Sequence, residues 1–186
     1  MGLDMYLYKK HYVKNWDHAP ERKTTITVKR DGKKVPTINT NKITFIQEEV
    51  GYWRKANQIH DWFVKNCQNG VDECQEAYVD PTKLQKLLDT CITVRDSTVL
   101  VKGKIKDGYS IGKDNEKIYK TVDGTLLEDS KVAEALLPST AGFFFGGTEY
   151  DEYYMEEIKS TIKMIAEELA IDYGVNAPEY YYRSSW

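Results

Sequence analysis

The stretch Leu3-Asp4-Met5-Tyr6-Leu7-Tyr8-Lys9 alternates apolar and polar side chains with a period of two. That repeat is typical of a β-strand, because successive side chains of a strand point to opposite faces of its sheet. Leu3, Met5 and Leu7 therefore share one face, and Asp4, Tyr6 and Tyr8 share the other. The stretch predicts a strand that is buried on one side only.

Three further segments favour strands. Residues 24–30 are rich in β-branched side chains, and Asp31-Gly32 supplies a turn after them. Residues 43–50 and 98–105 are also strand candidates. Residues 107–128 carry several Asp-Gly and Asn turn signals around a short β-rich run, which predicts a polar hairpin on the surface.

Helical periodicity appears in four places. Apolar residues recur at helical spacing over residues 52–66, and Asp80-Pro81 is a typical helix start for an apolar face that runs to about Arg95. A short helix is predicted near residues 130–137. The clearest pattern follows Asp151, where Met155, Ile158, Ile162, Ile165 and Leu169 repeat at alternating spacings of three and four.

The order of these elements predicts the fold class. Strands and helices do not alternate regularly, so we expect an α+β fold and not a doubly wound parallel sheet. We predict a single domain over residues 1–172, with a mainly antiparallel sheet packed against two to four helices and a surface β-hairpin excursion. Residues 173–186 are rich in tyrosine and are interpreted as an aromatic C-terminal tail.

Composition narrows the class of protein. The chain has 186 residues, 41% of them hydrophobic and 30% charged, as in an ordinary globular domain. No apolar run approaches the roughly 18 residues that span a bilayer, so no membrane partner is expected. The three cysteines, Cys67, Cys74 and Cys91, have no paired spacing and are interpreted as reduced thiols of an intracellular protein.

Charge is distributed unevenly along the chain. Residues 1–55 hold 12 Lys and Arg against 6 Asp and Glu, whereas the remainder holds 14 against 23. A basic front can attract an anionic ligand, or it can simply be a solvated β-ribbon with lysines on its edges. The net charge of −3 argues against a role in coating duplex nucleic acid.

The segment at residues 51–63 concentrates side chains that make specific polar contacts. Its cations can meet phosphates, its amides can read base edges, and its aromatic rings can stack on bases. As a helix it would divide these groups between two faces, and it could equally be an aromatic helix packed on the sheet with its polar groups satisfied internally. The candidate ligand-binding residues here are Trp53, Arg54, Lys55, Asn57, Gln58, His60 and Trp62.

A second candidate group surrounds the turn Phe145-Gly-Gly-Thr148, which precedes a helix. The sequence 141–148 predicts a buried strand ending in this turn, and such turns can cradle phosphate with backbone N–H groups. The acidic residues that follow would repel an anion, which favours a purely structural turn. The added candidates are Tyr150, Tyr153 and Tyr154, together with Asp4 and Tyr6 on the polar face of the first strand, where Asp4 can alternatively pair with Arg54.

Catalytic patterns are weak. His11, His18 and His60 have no metal-ligand spacing, and there is no GxSxG nucleophile elbow. The residue types would allow a catalytic Cys–His pair of His60 with Cys67 or Cys91. They would also allow a Mg²⁺ site on adjacent carboxylates such as Glu48-Glu49. We therefore expect no catalytic residue, no metal and no cofactor.

Four motifs together resemble a widespread family of small tailed-phage and prophage proteins. They are MGLDMYL at 1–7, NWDH at 15–18, YWRKANQIH at 52–60 and GFFFGGTEYDEY at 142–153, and the similarity extends to about residue 170. The resemblance implies a bacteriophage origin and action in the host cytoplasm. Small non-enzymatic phage proteins include sponges that sequester cyclic-dinucleotide signals of CBASS immunity.

Three functions remain open on this basis. The first is capture of a nucleotide-like small molecule, as an anti-CBASS sponge or a related immune-evasion protein. The second is binding of a host or phage protein through the basic N-terminal ribbon. The third is an enzyme that acts on nucleotides with Asp4, His60 or the acidic pairs; a homo-oligomer is compatible with all three.

Overall fold

Strand β1 (Asp4–Tyr12) lies inside a four-stranded antiparallel sheet with the order β4-β1-β8-β5. The other strands of this sheet are β4 (Phe45–Arg54), β5 (Ala77–Val79) and β8 (Glu179–Ser185). These bounds come from a computed structural model that describes residues 2–16, 18, 23–142 and 145–186. The mixed architecture confirms the predicted α+β class.

The alternation of β1 divides the sheet into a covered and an open face. Leu3, Met5 and Leu7 are fully buried, as the period of two predicts. On the covered face they join Tyr182 of β8 in one core. The open face carries partly exposed tyrosines, among them Tyr6, Tyr8, Tyr52, Tyr78 and Tyr181.

The described part of the chain also contains four α-helices. Helix α1 (Asn57–Cys67) contacts β5 and β8, and α4 (Glu152–Leu169) contacts β4. Helix α2 (Pro81–Asp96) packs on α4, and α3 (Lys131–Leu136) packs on α2. None of the helices in the described ranges is both long enough and apolar enough to cross a membrane.

Helices α2 and α4 begin at side-chain caps. Asp80 accepts a hydrogen bond from the Thr82 N–H, and Pro81 opens α2, as predicted. At α4 the carboxylate of Asp151 accepts from the N–H groups of Tyr153 and Tyr154. The spacing of Thr148 and Asp151 predicts a capping box with Thr148 at the N-cap, but these contacts make Asp151 itself the N-cap residue.

The predicted helix at residues 52–66 is wrong over its first turn. Residues 52–54 belong to β4, where Tyr52, Trp53 and Arg54 pair with Tyr6, Met5 and Asp4. Lys55 then adopts a left-handed backbone conformation (φ 64°) that turns the chain into α1. Residues 52–54 fit both the helical spacing and the alternation of a strand. Pairing with β1 favours the strand, because it provides cross-strand hydrogen bonds.

The C-terminal segment is an interior strand and not a separate tail. Strand β8 pairs with β1 on one side and with β5 on the other. A short 3₁₀ turn at Gly174–Asn176 leads into it. Residues 173–186 therefore belong to the same domain as residues 4–172.

In the described residues, two hairpins form two-stranded sheets separate from the four-stranded sheet. Strands β6 (Leu100–Ile111) and β7 (Lys117–Leu127) form one long hairpin, which confirms the predicted excursion. The Asp107-Gly108 signal marks an irregularity within β6 and not a turn, since the register shifts between Lys106 and Tyr109. The second hairpin is a short basic ribbon of β2 (Lys29–Arg30) and β3 (Lys33–Lys34).

The buried strand expected at residues 141–148 is not observed. Residues 141–142 and 145–148 have an irregular backbone, and Phe143 and Phe144 lie outside the described residues. A buried strand needs hydrogen-bond partners on both sides, whereas this loop is held by a side chain of α1. We call residues 139–142 and 145–149 the glycine loop below.

Candidate functional site

A cleft of about 980 Å³ opens where four parts of the fold meet. These parts are the end of β4 with the start of α1, the glycine loop, the first turns of α4, and the β6–β7 hairpin. The volume lies at the upper end of the range typical of small-molecule sites. Of the candidates predicted from sequence, the cleft brings together Arg54, Lys55, Gln58, Tyr153 and Tyr154.

Arg54 and Lys55 form a cationic rim on one side. Lys55 has a left-handed backbone conformation, so its side chain does not continue the alternation of β4. Its N–H donates to the Leu3 carbonyl at 2.8 Å. The Arg54 side chain is largely exposed, and its Nε lies 3.9 Å from a carboxylate oxygen of Asp4. Exposed cations at the mouth of a cleft attract an anionic ligand and remain accessible to it.

The hairpin forms the opposite wall with two tyrosines and two lysines. Tyr109 and Tyr119 face each other across the strands with ring centroids 6.0 Å apart. Lys106 Nζ lies 4.6 Å from the Tyr119 ring, and Lys117 Nζ lies 4.7 Å from the Tyr109 ring. This wall therefore offers aromatic surfaces for stacking and positive charge beside them.

Gln58 and Glu157 form an amide–carboxyl pair in the cleft. The Gln58 Nε2 donates to Glu157 Oε2 at 2.7 Å, and Gln58 is almost fully buried. Burial raises the pKa of Glu157 to about 7, and the hydrogen bond from Gln58 only partly offsets this effect. Glu157 thus changes its charge near neutral pH.

Asn57 holds the glycine loop in place. Its side-chain amide donates to the carbonyls of Phe145 at 3.0 Å and Gly147 at 2.7 Å, and its oxygen accepts from the Thr140 N–H at 2.8 Å. Gly146 has φ 87°, and a Cβ there would come within 3.0 Å of the Lys55 Cβ. The amide of Asn57 therefore supports the site from behind and does not contact the cleft.

Protein groups engage Glu149 at the end of the glycine loop and the next two acidic residues, Asp151 and Glu152. Glu149 forms an ion pair with Lys106, which lowers the pKa of Glu149. Asp151 caps α4, and Glu152 accepts from the N–H and the hydroxyl of Thr125, both at 2.8 Å. The repulsion of an anion that the sequence indicates is reduced by these contacts.

Tyr150 and Tyr154 serve the structure more than the cleft. The Tyr154 hydroxyl donates to the Leu137 carbonyl at 2.9 Å, and the Tyr150 hydroxyl accepts from the Ser139 N–H at 3.1 Å. Tyr154 contributes a buried ring edge to the cleft wall, whereas Tyr153 is exposed there. Tyr153 is therefore the accessible member of the predicted tyrosine group.

Three candidates from the 51–63 segment are core residues and lie outside the cleft. Trp53 donates from Nε1 to the Thr161 hydroxyl at 2.8 Å, and Trp62 is buried. His60 is buried with Nδ1 2.7 Å from the Tyr182 hydroxyl and Nε2 2.9 Å from Asp72. For these side chains the internal-packing interpretation applies.

Asp4 and Tyr6 lie on the open face of the sheet and do not line the cleft. Asp4 accepts a hydrogen bond from the Tyr52 hydroxyl and pairs loosely with Arg54. Tyr6 stacks on Tyr8 with centroids 5.7 Å apart. The predicted alternative for Asp4, a pairing with Arg54, is the arrangement observed.

Groups suited to nucleophilic or metal chemistry are not assembled in the described ranges. Burial raises the pKa of Cys67 to about 11 and that of Cys91 to about 12, so both thiols are protonated at neutral pH. His60 is hydrogen-bonded to Tyr182 and Asp72. Within those same ranges, no three His, Cys, Asp or Glu side chains are grouped so that they could hold a metal ion.

Sequence reasoning missed the hairpin wall and Glu157. The alternation in β6 and β7 could have placed Tyr109 with Ile111, and Lys117 with Tyr119, on common faces. It could not show that those faces turn toward Arg54 and Lys55. Glu157 carries no signal in the sequence, because one carboxylate beside Glu156 on a helix is typical of a solvated surface.

No protein-family model, curated protein or solved structure matches this chain. The geometry of the cleft is therefore the basis for a functional assignment.

Proposed function

We propose that this protein binds a nucleotide-class small molecule in the cleft and retains it without chemical change. The observation that carries the proposal is the combination, around one cleft of about 980 Å³, of a cationic rim, tyrosine faces and the half-buried Glu157 carboxyl paired with the buried Gln58 amide. Phosphates would meet Arg54 and Lys55, and bases would stack on the tyrosines of the hairpin. The volume is sufficient for a dinucleotide.

Within this class we favour a cyclic-dinucleotide immune signal of a bacterial host. The resemblance to phage proteins supports that choice, and such a signal carries two phosphates and two stackable bases. Sequestration requires only tight binding in the host cytoplasm, because a captured signal no longer reaches its receptor. It requires neither a nucleophile nor a metal.

Charge reversal at the rim tests the proposal. We expect Arg54→Glu/Lys55→Glu to weaken binding of cyclic dinucleotides by about tenfold or more, because charge-assisted hydrogen bonds contribute roughly 1.5–3 kcal/mol each. Isothermal titration against cyclic di- and trinucleotides and cyclic ADP-ribose isomers measures this. Lys33→Glu/Lys34→Glu is the matched control, since it makes the same charge change on an exposed ribbon.

Two results would contradict this proposal. One is that no member of the panel binds to the wild-type protein. The other is that the wild-type protein returns a bound ligand in altered form, as judged by mass spectrometry after heat release. The second result would favour a nucleotide-acting hydrolase, for which Glu157, titrating near neutral pH, is the candidate acid or base.

The second candidate function is binding of a protein partner through the basic ribbon. Lys29, Arg30, Lys33 and Lys34 make up all of β2 and β3, and all four are exposed. Such a concentrated positive surface suits an acidic partner and speeds its association. The cleft and the ribbon are separate features, so the two functions can be tested independently.

Recovery of a partner from host lysate distinguishes this candidate. We expect tagged wild-type protein to retain a stoichiometric partner that Lys33→Glu/Lys34→Glu loses and Arg54→Glu/Lys55→Glu keeps. The physical reason is that surface charges on the ribbon steer and orient an acidic surface. Equal retention by both double variants would contradict a role of the ribbon.

A further inference from the structure

Glu157 differs from the other two carboxylates that line the cleft. Glu149 forms an ion pair with Lys106, and Asp151 accepts the capping hydrogen bonds at the start of α4. The carboxylate of Glu157 accepts a hydrogen bond from Gln58 through its Oε2. A carboxylate has two oxygens and about four acceptor sites, so Glu157 retains acceptor capacity toward the cavity.

The base that suits this group follows from donor and acceptor patterns. The Watson–Crick edge of guanine presents two adjacent donors, N1–H and the exocyclic amine, which match the two oxygens of an ionised carboxylate. Adenine presents an acceptor, N1, beside its amine, and that acceptor would face carboxylate oxygen. We propose that the cleft selects guanine over adenine and that Glu157 is the residue that determines this specificity.

This inference rests on the proposed nucleotide-binding function and deepens it by naming the base. Gln58 orients the carboxylate, because its Nε2 fixes Oε2 from the buried side at 2.7 Å. The cationic rim and the tyrosines do not discriminate between bases, since they meet phosphates and ring faces common to all nucleotides. Discrimination between bases must then come from an edge contact.

The same geometry makes guanine binding sensitive to pH. Burial raises the pKa of Glu157 to about 7, and Asp151 and Glu156 add repulsion from its own helix. The charged groups that line the same cleft from other elements are Arg54 and Lys55 at the rim, Lys106 and Lys117 on the hairpin, and Glu149, which is paired with Lys106. Guanine needs the ionised carboxylate, so binding near pH 7 releases a proton and affinity rises as pH increases through 7.

Cyclic di-GMP and cyclic di-AMP are the appropriate probes, because they differ only in their bases. For the wild-type protein we expect cyclic di-GMP to bind at least about tenfold more tightly, the usual discrimination of a two-bond base contact. Titration calorimetry in two buffers of different ionisation enthalpy should show proton release on binding of cyclic di-GMP near pH 7.

Glu157→Gln is the decisive variant, and Glu156→Gln on the exposed side of α4 is its control. A glutamine pairs with an acceptor–donor edge, so we expect Glu157→Gln to lose the guanine preference, gain affinity for cyclic di-AMP and lose the proton release. Glu156→Gln should keep the guanine preference, and its proton release should be at most slightly smaller than that of the wild type, because the Glu156 charge adds only part of the repulsion on Glu157. The amide is nearly isosteric and can still accept from Gln58, and a circular-dichroism melt checks that the variant is folded.

The outcomes separate the two proposals. If the wild-type protein binds cyclic di-AMP as tightly as cyclic di-GMP, or if Glu157→Gln keeps the guanine preference, the base assignment is overturned while nucleotide binding stands. If neither cyclic dinucleotide nor the wider nucleotide panel binds, the proposed function falls and the base assignment falls with it.

Discussion

Replacing Tyr182 with alanine is expected to lower the free energy of unfolding by about 3–5 kcal/mol, as for other large aromatic residues removed from a core. Tyr182 is completely buried in strand β8, and its ring stacks on Phe63 with centroids 4.0 Å apart. Its hydroxyl also lies 2.7 Å from His60 Nδ1. The substitution removes the ring contacts and leaves a buried imidazole nitrogen without its partner.

Urea unfolding followed by circular dichroism measures this effect, and Tyr181→Ala is the matched control. Tyr181 is the adjacent residue of the same strand but points to the open face, where it contacts Tyr78. We expect that control to lower stability by only about 1 kcal/mol. Equal losses for the two variants would contradict the placement of β8 between β1 and β5.

Replacing Lys9 with methionine is expected to cause the second large loss of stability, because it leaves the buried carboxylate of Glu168 without its cation. Lys9 Nζ lies 3.0 Å from Glu168 Oε2, and both residues are buried. The hydroxyls of Tyr173 and Tyr180 also donate to Glu168. Removing one partner of a buried pair typically costs about 3–5 kcal/mol, so we expect a loss of that size at neutral pH.

The pH dependence of this loss follows from Glu168. Burial alone would raise its pKa, but hydrogen bonds from Tyr173, Lys9 and Tyr180 outweigh burial and lower it. The wild-type contribution is therefore present above the pKa of an unfolded glutamate and is lost as pH falls through the lower folded value. In Lys9→Met the pKa of Glu168 rises, so the deficit relative to wild type should shrink as the medium becomes acidic.

Two further variants delimit this prediction. Lys9→Met/Glu168→Gln should recover much of the loss at neutral pH, because a neutral amide no longer needs a counter-ion. Lys10→Met removes a lysine on the open face that pairs with Glu76, and it should change stability by less than about 1 kcal/mol. A deficit of Lys9→Met that is unchanged in acid and unrelieved by Glu168→Gln would contradict the role of the buried pair.

Local patterns in the sequence were sufficient for most of the elements. The alternation at residues 3–9, the Asp80-Pro81 start and the apolar spacing after Asp151 each depend on neighbours within a few residues. Their physical causes, side-chain alternation, capping and one-sided burial, are local as well. The strand β1 and the helices α2 and α4 were predictable for this reason.

The segments that were predicted wrongly depend instead on partners that lie far away in the sequence. Residues 52–54 are compatible with a helix or a strand, and the partner that decides is β1, about fifty residues away in the chain. The pattern at residues 141–148 favours a buried strand, but the carbonyls of Phe145 and Gly147 accept hydrogen bonds from Asn57 of α1. The segment 173–186 looks like a tail because its partners, β1 and β5, lie far from it in sequence.

For the candidate site, residue types were predictable and positions were not. The 51–63 segment did contain cleft residues, yet it divides into Arg54, Lys55 and Gln58 in the cleft and Trp53, His60 and Trp62 in the core. Tyr109, Tyr119 and Glu157 also line the cleft, and nothing in the sequence showed that they face it. Which side of each element faces a cavity depends on packing between distant elements.

The sequence by itself determined the α+β class, the half-buried first strand and the helices at 81–96 and 152–169. These features depend on backbone preferences and on burial patterns, which are set by residues close together in the chain. Only the tertiary structure decided that β8 is an interior strand, that the β6–β7 hairpin closes one side of a cleft, and that Glu157 is desolvated beside Gln58. Those features arise from strand pairing and from solvent exclusion between elements far apart in the chain, which no local pattern encodes.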